Sequence, residues 1–461
     1  MTRRVAWALL VAAAVVNAPP ARAADLLAVV MQAVDRDADL AQAGDDAAIA
    51  RFAVSEARGS LLPRVDVGWA RAYNQISVDG YPRVTYWQSG WTVQLTQPLF
   101  DWSRWVEYRK AGAADEGGRL RVAERMQTAI LQASAAYFDE LAAEDELARA
   151  SAYAAAVADQ QALTTRLRTA REATAIDQRE VDALLDAAQL EQADARDKVQ
   201  TQRRVLERLT GRPFASTPPR EAGRLRFALP CIVPDDPQPW IDQARAMNYR
   251  VQSAQIDVHK ADLDVEAARA QRYPVVNLNA DVTPAGAAGG YSRPSTTAVA
   301  MLSIVVPLYR GGEINARVGK ARAGRDKADH ALLAAVRAAE SSAADGYARV
   351  DRGRARVERL AKLADANRAR LDATRIGFRT GSRTNMDVLR AIDALYAGQR
   401  DLLRAHYDTM KAFLELKAST ATLGLDDIAA MNARIGTMPG FSGPVAGGES
   451  AAVVGARDAK R

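Results

Sequence analysis

The stretch WTVQLTQPLFDWSRW, Trp91 to Trp105, changes its period midway. Trp91, Val93 and Leu95 alternate with Thr92, Gln94 and Thr96, the two-residue period of a strand with one apolar and one polar face. Pro98 has no backbone donor and is expected to end the ladder. Beyond Ser103 a proline-free run rich in Ala, Arg, Glu, Gln and Leu predicts one helix to about Arg168. At 1.5 Å per residue that helix is roughly 100 Å long. A strand feeds directly into a very long helix.

The same design returns about 210 residues later, which reads as an internal duplication. Ala300, Leu302, Ile304 and Val306 alternate with Met301, Ser303 and Val305. Pro307-Leu308-Tyr309 then stands where Pro98-Leu99-Phe100 stood, and a helical run follows from Glu313. The pairs Pro63/Pro274, Pro98/Pro307, Tyr137/Tyr347, Asp177/Asp387, Gln189/Gln399 and Gly211/Gly424 keep nearly one offset. Two seams step by four and three. One runs from Val181 through Leu185, Ala188 and Gln192 to Leu209, the other from Val388 through Ile392, Leu395 and Gln399 to Leu423. Such seven-residue periodicity imposes a left-handed supercoil.

The expected organisation has a secretory leader over 1–23, with Arg3-Arg4 before an apolar stretch and Ala21-Arg22-Ala23 as cleavage site. A first repeat spans 24–211, with a helix from Leu26 to about Gly59, a β-hairpin at about 64–97 and a helical hairpin at about 102–210. A proline-rich linker covers 212–240. The second repeat, 241–424, has a helix over Ile241–Arg269, a β-hairpin at about 275–306 with a loop from Pro284 to Pro294, and a helical hairpin at about 313–423. A loose tail follows over 425–461, disordered from Gly436. Aromatics (Trp69, Tyr73, Tyr81, Tyr86, Trp87 and Trp91) crowd the first hairpin, as at the lipid–water boundary of a barrel. Four strands in two separated pairs cannot close a membrane barrel, but three copies give about twelve, within the known range.

The 461 residues carry a net charge of +6, yet basic and acidic side chains are interleaved and no basic stripe with stacking aromatics occurs, which argues against nucleic acid. The single cysteine, Cys231, cannot form an internal disulfide. The three histidines, His259, His330 and His406, lack ligand spacing, and His406 falls in the second heptad seam. No phosphate loop, nucleophile elbow or paired-cysteine metal motif is present, so neither catalysis nor a cofactor or metal is expected.

LTQPLFDWSRW, its partner VVPLYRGGEIN, and the segment Gly381 to Leu389 resemble the strand–helix junctions and second periplasmic turn of the TolC family of outer-membrane channel-tunnels. The resemblance covers nearly all of the chain after the leader. It implies a mixed α and β membrane protein: long coiled-coil α-helices forming a tunnel, plus four β-strands per protomer contributed to a twelve-strand trimeric barrel. It further implies a homotrimer in the outer membrane of a Gram-negative bacterium, in contact with lipid and extending into the periplasm. A periplasmic adaptor and an inner-membrane ABC transporter or other pump would drive export of a protein or small-molecule cargo. The junctions look most like the type I secretion branch. Drug efflux is the alternative, and a periplasmic coiled-coil scaffold is the rival of another class.

The resemblance also assigns residues. Asp387 would line the narrow periplasmic entrance as an acidic ring, with Arg390 where the family usually has a second aspartate, which makes the constriction less negative. Asp177 and Arg383 match the aspartate and arginine of the entrance gate, while Phe378 replaces its tyrosine. Arg171 and Glu172 on the first turn, with Gly381 and Ser382 on the second, would dock the adaptor, although the first turn lacks the glycine.

Overall fold

The computed structural model describes residues 26–77, 79–213, 228–285 and 295–434. The expected leader, most of the linker, residues 286–294 of the second loop and the end of the tail lie outside these residues. Two helices, α1 (Leu26–Arg36) and α2 (Ala38–Gly59), lead into strands β1 (Arg64–Ile76) and β2 (Val84–Phe100) and the hairpin of α3 (Trp102–Thr169) and α4 (Ala175–Thr210). The plan then repeats with α5 (Pro237–Met247), α6 (Tyr249–Ala270), β3 (Val275–Ala285), β4 (Ser295–Val305), α7 (Glu313–Arg379) and α8 (Asn385–Ser419), closed by α9 (Leu425–Arg434).

The four strands form one antiparallel sheet in the order β1-β2-β3-β4. The expected two separate hairpins are thus joined, because β2 is long enough to pair with β1 on one side and with β3 on the other. Pairing runs Val65↔Leu95, Leu95↔Ala280 and Ala280↔Ala300, so cross-strand partners share a face. One face therefore carries Val65, Val67, Trp69, Val93, Leu278 and Leu302; the other carries Asp66, Thr92, Gln94, Asn279 and Asp281. Pro98 does not end the ladder as expected. The β1 pairing stops at Thr96, and β2 continues against β3 through a bulge between Pro98 and Phe100. A bulge on a one-sided stretch leaves the missing N–H without a ladder partner to disappoint.

Below the sheet the helices pack in open rows. Next to the strands the order is α2-α3-α6-α7; further down it is α4-α3-α8-α7. The long helices α3 and α7, of 68 and 67 residues, run through both rows. Small residues let neighbours close in: a side chain at Gly118 would stand 3.2 Å from Ala47, and one at Gly353 would stand 2.4 Å from Thr409 Oγ1. The heptad seams are the packed faces. Val181, Ala188, Ala195, Val199 and Leu206 are buried on α4, and every seam position from Val388 to Leu416 is buried on α8. Where the rows meet, Leu26, Phe138, Leu206, Tyr407, Leu416 and Ile428 belong to one core.

The helix expected over 26–59 is interrupted at Asp37, whose carboxylate accepts from the Leu40 N–H at 2.7 Å. That expected over 241–269 begins earlier, at Pro237, and breaks at Asn248, which accepts from the Arg250 N–H at 2.9 Å. Both breaks are N-caps of the following helix. The tail expected to loosen after Leu425 instead forms α9, which packs on α1 and buries Ile428. Gly211 and Ala421 are the left-handed ends of α4 and of the α8 turn, with φ of 67° and 54°. Ala421, not Gly424, is therefore the counterpart of Gly211.

Gly211 has a second constraint. Arg36 donates to the Thr210 carbonyl at 3.3 Å, and a Cβ at Gly211 would lie 1.5 Å from its Nη1. Gly211→Ala is expected to lower stability by about 1–3 kcal/mol through left-handed strain and this clash. Thermal denaturation by circular dichroism measures it, and the loss should be smaller in an Arg36→Ala background.

Candidate functional site at the helical turns and on the sheet

The two turns far from the sheet share one backbone plan. At the first, Arg171 takes φ 63° and the Glu172 N–H donates to the Leu167 carbonyl at 2.8 Å. At the second, Gly381 takes φ 77° and the Ser382 N–H donates to the Gly377 carbonyl at 2.8 Å. Both are helix ends closed by a left-handed residue. The missing glycine therefore does not change the first turn: Arg171 adopts the glycine conformation, at a cost of roughly 1–2 kcal/mol.

Asp177 and Asp387 are caps as well as charges. The Asp177 carboxylate accepts from the Thr174 N–H at 2.9 Å and hydroxyl at 2.7 Å, while the Thr174 oxygen accepts from the Asp177 N–H at 3.1 Å. Asp387 and Thr384 repeat the box at 3.0, 3.0 and 3.2 Å. Hydrogen bonds from the Thr384 backbone and hydroxyl hold the Asp387 carboxyl below the usual carboxylate range, with smaller help from Arg383 and Arg390. Those from the Thr174 backbone and hydroxyl do the same for Asp177. Both groups are thus ionised at neutral pH.

Among the described residues no ion pair joins Asp387 to Arg390, or Asp177 to Arg383, within one protomer. Arg383 instead lays its stem over Gly377, where a Cβ would stand 2.7 Å from its Cγ. Phe378 is half-buried against the cluster containing Leu371, Val388 and Ile392. Arg171, Glu172, Gly381, Ser382 and Arg390 are exposed. Pro63 and Pro274 immediately precede β1 and β3; Pro307 follows β4 and Pro98 sits within β2.

Residue-level reading missed the contact that joins the two hairpins near these turns. Asn385 Oδ1 accepts from Gln160 Nε2 at 2.7 Å and from Thr164 Oγ1 at 3.3 Å, and all three residues are buried. The signal available was a polar pair at i and i+4 on α3, Gln160 and Thr164, within an otherwise alanine-rich face. Higher up, Arg149 is only 1% exposed and donates to Glu146 at 3.0 Å and to Glu191 at 2.6 Å. Arg400 reaches the same Glu191 oxygen at 3.4 Å, so α3, α4 and α8 share one charge cluster. His406 lies in the α8 seam, and burial pushes its pKa down to about 4, which keeps it neutral.

On the sheet the apolar face is left open. Val67 is 73% exposed, Trp69 69%, Leu302 58% and Ile304 62%. From Val65 to Tyr73, with Arg71 the one charged residue on it, this face of β1 runs roughly 27 Å along the strand at about 3.4 Å per residue, or roughly 20 Å in height at a strand tilt of about 40°. That is slightly less than the outward apolar band of about 25 Å on a membrane barrel. Among the described residues no helix is long and apolar enough to cross a membrane.

The sequence profile described as "Outer membrane efflux protein" matches residues 29–212 and 240–422. The alkaline protease secretion protein AprF of Pseudomonas aeruginosa is 29% identical over 73% of this chain and 70% of its own length. The outer membrane protein TolC of Escherichia coli is 25% identical over 89% of this chain and 85% of its own. The solved structure of the outer-membrane channel OprN superposes with a TM-score of 0.76 at 20% identity, covering 86% of this chain and 90% of that one. Its likeness is one of fold.

Removing the Asn385 amide should loosen the turns. Asn385→Ala is expected to cost about 1–3 kcal/mol locally, because Gln160 and Thr164 lose a buried acceptor. Hydrogen exchange should quicken over 380–390 while the core around Phe138 stays protected; unchanged exchange at the turn would contradict this role.

Proposed function

The chain belongs to the outer membrane efflux protein family of outer-membrane channels, and from that premise we propose that it is the exit duct of a type I secretion system. In this reading it exports a protein, such as a toxin or protease, in concert with an inner-membrane ABC transporter and a periplasmic adaptor. The observation that carries the duct is the sheet: an open apolar face beside a polar one, with β1 and β4 as its two ends. Lipid covers the first face and a water-filled lumen wets the second. Protein cargo is favoured by the likeness to AprF, whose name is that of a protease secretion protein. Efflux of small molecules is the second reading, supported by the description of the matching family.

The duct is a homotrimer. Each layer of the protomer is an open row, with α2, β1 and α4 at one end and α7 and β4 at the other. Three copies joined head to tail bring β1 beside β4 and α4 beside α7, which satisfies the strand edges and closes about twelve strands. The turns then form a three-fold periplasmic entrance. Asp387 gives an acidic ring there, with Arg390 one turn above it. Asp177, Arg383 and Phe378 close the gate across the interfaces. Arg171, Glu172, Gly381 and Ser382 present the turns to the adaptor. No step is catalysed by the chain; transport energy comes from the inner-membrane pump.

Deletion of the gene tests cargo directly. Mass spectrometry of secreted protein should show loss of one or a few large exported proteins, with drug susceptibility unchanged. Intact secretion with increased drug sensitivity would replace this reading with efflux, and no change in either would revive a scaffold role.

A further inference from the structure

The lipid-facing side of the sheet carries one charge. Of the described residues that share the apolar face, Val65, Val67, Trp69, Tyr73 and Gln75 on β1 and their partners on β2, β3 and β4 are uncharged; Arg71 is the exception. The charged strand residues Arg64, Asp66 and Asp281 lie on the opposite face. Arg71 is exposed, and its guanidinium stands 4.6 Å from the centroid of Trp87. Tyr73 and Trp87 pack at 5.1 Å, and Trp69 pairs with Trp91 on the next row down the strands. Among the described residues no carboxylate pairs with Arg71.

A cation facing hydrocarbon is expensive and is kept where a partner awaits it. Arg71 sits about 20 Å along the strand from Val65, one same-face position before Tyr73 at the far end of this face. That end bears the β1–β2 hairpin turn, while the helices leave from the opposite end. With the helices in the periplasm, Arg71 and its aromatics lie at the outer leaflet. A planar guanidinium with free N–H groups suits a phosphate oxygen pair, and exposed Trp and Tyr faces suit the apolar faces of a sugar ring.

We propose that Arg71, with Trp69, Tyr73, Trp87 and Trp91, forms a binding site for the phosphorylated sugar headgroup of an outer-leaflet glycolipid. The site rests on the channel reading, since it needs the apolar face to be in lipid. It holds one headgroup per protomer beside the β1 edge, and the aromatic rings orient the sugar while Arg71 grips the phosphate.

The test uses the full-length assembly in nanodiscs of phosphatidylcholine doped with bis-phosphorylated lipid A, read by native mass spectrometry and by Trp fluorescence. Wild type should retain the glycolipid, and Arg71→Leu and Arg71→Gln should retain roughly five- to tenfold less, with Arg71→Lys in between. Dephosphorylated lipid A should fail to compete. Undiminished glycolipid on both neutral variants, with each variant recovered from the outer-membrane fraction, would overturn the site. Equal retention of phosphatidylglycerol would overturn its sugar specificity. Wild-type protein absent from the outer-membrane fraction would instead overturn the channel reading.

Discussion

Unpaired backbone at the edges of one small sheet constrains everything else. A strand edge in hydrocarbon leaves N–H and C=O groups with no partner, at several kcal/mol each. The protomer has two such edges, β1 and β4, and an apolar face that water will not wet. Among the described residues no strand pairs with either edge. The helical layers have the same incompleteness, because their rows also stop at α2 or α4 on one side and α7 on the other. An internal duplication explains why the layers end together: each half supplies one hairpin of strands and one of helices, and α3 and α7 tie both layers into one body.

Within the rows, the seam is made specific by what it cannot avoid burying. Alanine and glycine allow close approach but fix register weakly, since one small residue substitutes for another. Arg149, held by Glu146 and Glu191 at under 2% exposure, and Asn385, held by Gln160 and Thr164, supply the register that alanine lacks. Slipping α4 by one heptad would strand the buried Arg149 without Glu191, and a buried charge that loses a partner is strongly destabilising. Both clusters bridge the two helical hairpins, so they also set how easily one hairpin moves past the other. The capping boxes at Thr174–Asp177 and Thr384–Asp387 keep the free ends of those hairpins wound to their last residue.

Local periodicity made most of the fold legible. The three-four steps through Ala188 and Ile392 report which helix face is covered, and the two-residue alternation around Trp91 and Leu302 separates the apolar face of the sheet from its polar face. What periodicity could not show was non-local. The β2–β3 pairing joins residues nearly two hundred positions apart in sequence, and no local pattern encodes it. Pro98 was misleading for the same reason: whether a missing donor matters depends on a neighbour that the local sequence does not name. The helix breaks at Asp37 and Asn248 were readable in principle as caps, but continuous helical pattern on both sides masked them. At the turns, the Thr-x-x-Asp spacing of Thr174/Asp177 and Thr384/Asp387 is that of a capping box, so both aspartates are caps as well as charges. Arg171 shows that a turn can keep its geometry without the glycine that advertises it.

Head-to-tail closure of the open rows is open to a single cross-link. Leu190 on α4 is 64% exposed and Leu363 on α7 49% exposed, and they lie at similar distances from the turns on opposite ends of the lower row. Closure places them face to face between copies. In a Cys231→Ser background, the double variant Leu190→Cys/Leu363→Cys should oxidise in intact outer membranes to covalent trimers on denaturing gels, and neither single variant should. A double variant that stays monomeric under oxidation, although correctly inserted, would contradict closure.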